Sequence, residues 1–200
     1  MAVSAYVMTP INIGTMQIKS KLWLAFAIEE SADKLVACTS SSVDTQNAET
    51  SLKNTLRRLH RFDELDESYR PQRFSEIGKR LGQLMLGKGQ PFDLKEISQK
   101  NWSPARLKIS KQLLQVPRGK VISYGGLARL TGSSPRGVGS VMRSNHVPWA
   151  VPCHRVIHSD GRLGKLGGTI SGTKEKARIL QAEGVLFNKD GTVSQTVIIC

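Results

Sequence analysis

The sequence predicts an α+β fold: a small antiparallel sheet with helices in the first half, and a mostly helical second half built around a helix-turn-helix. Three features predict it. Short apolar runs punctuated by turn residues fill positions 11–42, apolar residues then recur at helical spacing, and after residue 102 three serines each stand just ahead of a helical stretch.

In order, "INIGTMQIKSKLWLAFAIEESADKLVACTSSS", from Ile11 to Ser42, is broken by Gly, Ser and Asp-Lys turn signals, the pattern of a small antiparallel sheet. From Glu49 to Leu65, Leu52, Leu56 and Leu59 share a helical face, and "RFSEIGKRLGQLML" repeats the pattern with Phe74, Ile77, Leu81 and Leu84. The stretch "GKGQP", Gly87 to Pro91, breaks the periodicity and reads as a linker. It divides the chain into a structural α/β domain over 1–90 and a second domain over 91–200.

In the second domain "SPARLKISKQLLQVP" is a helix with Ser103 as N-cap, Pro104 at its first position and Pro117 just past its end. Ser123 caps "YGGLARL", the turn "TGSS" follows, and Ser134 with Pro135 opens "PRGVGSVMRSN". Two short helices joined by a turn containing Gly132 have the spacing of a helix-turn-helix, which an ordinary helical hairpin shares. The second helix carries Gly137, Gly139 and Ser140 together with Arg136 and Arg143. Small residues beside arginine suit the close approach of a nucleic acid better than a protein core.

The charge supports that choice. The 29 Lys and Arg stand against 16 Asp and Glu, and residues 101–185 hold 14 basic and 3 acidic side chains where residues 1–100 hold 14 and 12. A polyanionic partner would meet the second half. Three widely spaced cysteines, Cys38, Cys153 and Cys200, argue against a disulfide framework and fit a reducing compartment. No CxxC spacing occurs, and the one HxxxH spacing, His154 to His158, has no second ligand pair near it in sequence, so no metal is expected. No apolar segment approaches the roughly 20 residues of a membrane helix, and a soluble intracellular protein with no membrane contact is expected.

Within "VPCHRVIHSD", Val151 to Asp160, a cysteine stands between a proline and a histidine. A lone cysteine is commonly an inert small hydrophobe. Here His154, Arg155 and the basic surroundings favour the thiolate, so Cys153 is expected to titrate well below the ordinary thiol value of about 8.5. Asp160, Glu175 and Glu183 are the acids available to orient the histidine. His146 and His158 are expected at the surface.

These motifs resemble the 6-O-alkylguanine-DNA alkyltransferases, the methylated-DNA-protein-cysteine methyltransferases. "VPCHRV" is similar to that family's active-site PCHRV, "VISYGGLARLTG" to its tyrosine-bearing helix, and "PRGVGSVMRSN" to its recognition helix. The step from Asn145 to Cys153 and the later "QAEGV" also fit, so the resemblance covers roughly residues 103–187.

It implies a ribonuclease-H-like first domain and a winged-helix-like second one. It implies single-turnover repair of 6-O-alkylguanine, and of 4-O-alkylthymine, by transfer of the alkyl group to Cys153 after the damaged nucleotide is flipped out. His154 would deprotonate the thiol through a water, Glu183 would hold the histidine, Tyr124 would bond the departing guanine, and Asn145 would brace the turn before Cys153. Arg136 would fill the gap in the base stack. Tyr124, Ser133, Gly137, Gly139, Ser140, Arg143 and Ser159 would complete a contact to the minor groove of double-stranded DNA. No cofactor is implied, and the protein would act as a monomer in the cytoplasm, associated with the nucleoid, or in a nucleus. Rival functions are a non-catalytic alkylated-DNA-binding protein, a helix-turn-helix regulator and a cysteine hydrolase. Two departures stand out: Ser110 occupies a position where the family usually has tryptophan, and "GRLGKLGGTISGTKEK", from Gly161 to Lys176, lacks the aromatic residue often found over the alkyl pocket.

Overall fold

The computed structural model describes residues 11–19, 22–29, 34–42, 44–61, 71–165, 171–194 and 198–199. The chain divides into two compact units, residues 1–78 with 95–98, and residues 79–94 with 99–200. The "GKGQP" stretch lies inside the second unit, and the division itself runs through a helix.

In the first unit, β1 (Ile11–Lys19), β2 (Leu22–Glu29) and β3 (Lys34–Ser41) form an antiparallel sheet in the order β1-β2-β3. The expected sheet is therefore present. Ile11, Ala25, Ala27, Val36 and Ala37 bury one face against Ala48, Leu52 and Leu56 of helix α1 (Thr45–Arg58), with Leu59 packed at the margin. Helix α1 starts four residues ahead of Glu49, because the Asp44 carboxylate accepts the Asn47 backbone N–H at 2.6 Å and satisfies an otherwise orphaned donor. The expected extension to Leu65 is not reached: the helix ends at Arg58, and residues 62–70 lie outside the described residues.

Helix α2 spans Pro71–Met85 and buries Leu81 and Leu84 as the spacing predicts, with Ile77 half-buried; the Phe74 side chain lies outside the described residues. Gly78 in its middle is a packing requirement. A Cβ there would stand 2.9 Å from Phe26 and 3.0 Å from Met16, so the sheet leaves no room for a side chain. Residues 95–98 join this unit because Ser98 N donates to Leu35 O on β3 at 2.8 Å.

In the second unit three helices precede the site: α3 (Pro104–Leu113), α4 (Tyr124–Thr131) and α5 (Pro135–Arg143). All three expected caps are made: Ser103, Ser123 and Ser134 accept from the backbone N–H groups of Arg106, Gly126 and Gly137. Gly132 closes α4 in the left-handed region, φ 60°, which turns the chain into α5. This unit also holds a parallel sheet of very short strands, β4 (Val121–Ser123), β5 (Val156–Ile157) and β6 (Ile198–Ile199), in the order β5-β4-β6. Val121 and Ile157 pack with Leu180, Val185 and Val193 around helix α6 (Ser171–Ala182). Among the described residues no helix is long and apolar enough to cross a membrane.

Candidate active site

The segment from α5 to β5 is a sequence of tight turns. Ala150 N donates to Pro148 O at 2.9 Å with Trp149 between them at φ 67°, a γ-turn in the strained, positive-φ form. Cys153 N donates to Val151 O at 2.8 Å across Pro152, whose φ −78° and ψ 63° are those of the relaxed inverse γ-turn. Proline holds that φ without cost. A single 3-10 turn, Cys153–Arg155, follows and feeds β5.

Asn145, just past α5, ties these turns together. Its Nδ2 donates to Val151 O at 3.0 Å and its Oδ1 accepts from Val147 N at 3.2 Å, so one amide spans both ends of the loop. The same side chain opposes the rise that burial gives the Cys153 thiol.

Cys153, His154 and Arg155 are all buried. His154 Nε2 lies 3.0 Å from Glu183 Oε1. Arg155 donates from Nε to Glu183 Oε2 at 2.9 Å, from Nη2 to Oε1 at 2.7 Å, and from Nη1 to Val116 O at 2.7 Å. Burial by itself would raise the Glu183 carboxyl. The bonds from His154 and Arg155 outweigh it and hold the group at about 2, so it is ionised at neutral pH. An ionised carboxylate only accepts. His154 therefore carries its proton on Nε2 and keeps its lone pair on Nδ1. Burial also pushes the imidazole below its ordinary value against the pull of Glu183, so it is neutral and basic at pH 7. Of the three candidate acids, Asp160 is taken up by Arg162 and Glu175 by Arg178; Glu183 is the one on His154.

The thiol corrects an expectation. Burial pushes Cys153 above its ordinary value, and the Asn145 amide, the Lys176 charge and the backbone N–H groups of the 3-10 turn only partly oppose it. Arg155 gives no help because its guanidinium is already bound to Glu183. The cation that does act on the thiol is Lys176, on α6, 1% exposed, with Nζ donating to Val156 O at 2.5 Å. Burial lowers this ammonium to about 8, and the Cys153 charge is what opposes the fall. Sequence inspection missed Lys176. Its one signal is position: it precedes Glu183, the residue just past α6, by seven residues, two helical turns, so the two side chains fall on one side and meet Val156 and His154.

Tyr124 opens α4, half-buried, with its ring centroid 5.3 Å from that of His158. Burial and then the Cys153 charge raise its hydroxyl, so it stays protonated and can donate. Gly164 brings the following loop down on it: a Cβ there would stand 3.0 Å from Tyr124 Oη. Residues 166–170 of that loop lie outside the described residues, and the rest of "SGTKEK" belongs to α6. His158 is exposed as expected, but His146 is buried, because Trp102 Nε1 donates to its Nε2 at 3.1 Å.

On α5, Arg136, Ser140 and Arg143 are exposed at i, i+4 and i+7, one face of the helix, while Val138 and Met142 are buried. A Cβ at Gly139 would meet nothing within 4 Å, so that spot is open to a ligand's backbone. Gly137 has a local reason instead: a Cβ would lie 2.8 Å from Ser133 Oγ and 3.3 Å from the capping Ser134 Oγ. Ser133 is half-buried beside that cap, and Ser159 is exposed after β5. Among the described residues no group of three or more His, Cys, Asp or Glu could hold a metal ion.

Residues 104–185, which contain the cysteine turn, both helices of the pair and Glu183, match the family model described as 6-O-methylguanine DNA methyltransferase, DNA binding domain. The chain is 38% identical over 97 residues to the methylated-DNA--protein-cysteine methyltransferase of Saccharolobus solfataricus and 43% identical over 93 residues to that of Thermococcus kodakarensis. These alignments cover 48% and 46% of the chain, and the chain spans 62% and 51% of the two relatives. Beyond the segment, the fold is similar to the O6-methylguanine-DNA methyltransferase of Pyrococcus kodakaraensis, with TM-score 0.66, 24% identity, and 88% of this chain and 99% of that one covered. A variant of the Mycobacterium tuberculosis O6-methylguanine methyltransferase aligns with TM-score 0.58 and 26% identity over 88% of this chain and 93% of that one. The α+β fold expected from the sequence is the fold of these structures.

Proposed function

We propose that the protein repairs double-stranded DNA by moving the alkyl group of 6-O-alkylguanine, and of 4-O-alkylthymine, onto Sγ of Cys153, once per molecule. The observation that carries this is the buried Glu183–His154 pair, 3.0 Å apart, immediately beside a buried cysteine on a braced turn. A neutral imidazole with its lone pair on Nδ1 takes the thiol proton through a water. The thiolate attacks the alkyl carbon, the S–C bond forms as the C–O bond breaks, and the electron pair leaves with the guanine, whose developing charge the Tyr124 hydroxyl meets with a hydrogen bond. The thioether is stable, so the chemistry needs no cofactor and does not recycle.

The target atom is inside the duplex, and the base must be extruded to reach Cys153. The exposed Arg136, Ser140 and Arg143 face of α5, with its open position at Gly139, suits a minor groove, where small residues let the helix approach and Arg136 occupies the vacated stack. Tyr124, Ser133, Gly137 and Ser159 flank that contact. The protein binds as a monomer and works in whichever compartment holds the DNA, cytoplasm or nucleus. Mass measurement of the intact protein after incubation with a 6-O-methylguanine oligonucleotide tests the proposal. One added methyl group, mapped to Cys153, is expected; tight binding with no added mass identifies a non-catalytic lesion binder instead.

A further inference from the structure

A second cluster of polar side chains lies just behind the turn that Asn145 braces. Trp102, ahead of α3, donates from Nε1 to His146 Nε2 at 3.1 Å, and the two rings meet edge to face with centroids 5.8 Å apart. Arg106, in the first turn of α3, donates from Nη2 to Ser144 O at 3.1 Å and to Ser144 Oγ at 2.6 Å. The same guanidinium lies 5.8 Å from the Trp102 ring centroid, and its Nη1 is 3.5 Å from His146 Nδ1. Residues 144 and 146 are thus both held from the start of α3, and the residue between them is Asn145.

Each bond has a clear physical value. Ser144 ends α5, where carbonyls lack intrahelical partners and a cation opposes the negative end of the helix, so Arg106 caps the recognition helix from outside. Trp102 offers a donor and no acceptor, which fixes His146 Nε2 as an unprotonated acceptor. The Asn145 backbone has these two fixed neighbours, and its amide can then span Val151 O and Val147 N in one setting.

We infer that Trp102 and Arg106 are positioning residues for the alkyl transfer: acting through Ser144 and His146, they set Asn145, and Asn145 sets the Cys153 turn. The inference rests on Cys153 as the alkyl acceptor, but its consequence is visible in the thiol itself. Asn145 is the largest influence opposing the rise that burial gives the Cys153 thiol, so loosening the clamp that sets its amide on Val151 O and Val147 N moves the thiol to higher pH.

The test is the pH profile of iodoacetamide alkylation at Cys153, read by peptide mass mapping so that Cys38 and Cys200 do not contribute, in the parent, Trp102→Phe, Arg106→Gln, Arg106→Lys and Asn145→Ala proteins. Trp102→Phe keeps an aromatic ring and removes the donor, which makes it the mildest of these probes of the fold. The expected result is an alkaline shift in Trp102→Phe and Arg106→Gln, with a three- to tenfold slower reaction near neutral pH and partial recovery in Arg106→Lys. The Asn145→Ala/Arg106→Gln double variant should show no shift beyond that of Asn145→Ala, the non-additivity of residues acting in series. Profiles that match the parent in both Trp102→Phe and Arg106→Gln, whatever their melting temperatures, overturn the inference. So does full additivity in the double variant. Because iodoacetamide replaces the alkylated base, a parent that labels normally but takes no methyl group from DNA would count against the repair function and leave the positioning result intact.

Discussion

At the scale of single residues, the site trades reactivity against exposure. A thiol pushed up by burial is a poor nucleophile at rest, and what opposes that rise is a set of short-range influences: the Asn145 amide, the Lys176 ammonium and the turn N–H groups. Cys153→Ala should abolish alkyl transfer and leave duplex affinity within about twofold, because the proposed contact face lies on α5; electrophoretic mobility and methyl transfer measured on one preparation check both halves. Lys176→Met removes the one cation that acts on the thiol among the described residues. Its single-turnover rate near pH 7 should fall by about tenfold, since one pKa unit corresponds to a tenfold change in thiolate, and should approach the parent's rate at pH 10. Lys176→Arg should restore much of the loss. A rate deficit that persists unchanged to high pH would mean that Lys176 shapes the backbone at Val156 and not the charge of the thiol. The motif residues of this site were legible in the sequence; the direction of the thiol's shift was not. Adjacency suggested that Arg155 would help the thiolate, but Arg155 points at Glu183, 28 residues away, and no local pattern records that pairing.

At the scale of elements, the helices were legible and the strands of the second unit were not. Ser103, Ser123 and Ser134 announce their helices because capping is a local interaction across three residues. Strands β4, β5 and β6, of two or three residues each, have no room for a period-two pattern, and Val121 of β4 and Ile157 of β5 are held by the apolar cluster around Leu180. The turns before Cys153 were legible only in part: Pro152 is a visible signal, whereas Trp149 at φ 67° breaks the steric rule that bulky residues avoid that region. Helix α5 carries the prediction at this scale. Arg136 is exposed and distant in role from the thiol, so Arg136→Ala should slow repair of duplex DNA by up to about 10², the equivalent of a few kcal/mol of unstacking. Reaction with free 6-O-benzylguanine should change less than twofold. Equal losses on both substrates, measured as second-order rate constants, would exclude a part for Arg136 in extrusion.

At the scale of the whole molecule, the buried ion cluster that orients His154 also ties the fold to pH. Glu183 is held at about 2 in the folded protein against an ordinary 4.5, so the unfolded chain binds the extra proton and stability is lost as pH falls from about 4.5 toward 2. His154 works in the same direction at higher pH: burial keeps it neutral when folded, whereas the unfolded imidazole takes a proton below its ordinary 6.5, so the loss begins there. The parent's melting temperature should therefore decline below about pH 6.5 and more steeply below 4.5. Glu183→Gln leaves Arg155 buried without its anion, a change that costs about 3–5 kcal/mol, on the order of 10 °C in melting temperature. The same variant has no carboxylate to protonate, so its curve should be flatter between pH 4.5 and 2 and should converge on the parent's at the acid end. Thermal melts of the two proteins across pH 2–8 decide it. Parallel curves with a constant offset would place the acid sensitivity elsewhere in the chain and reduce Glu183 to a partner of His154 alone.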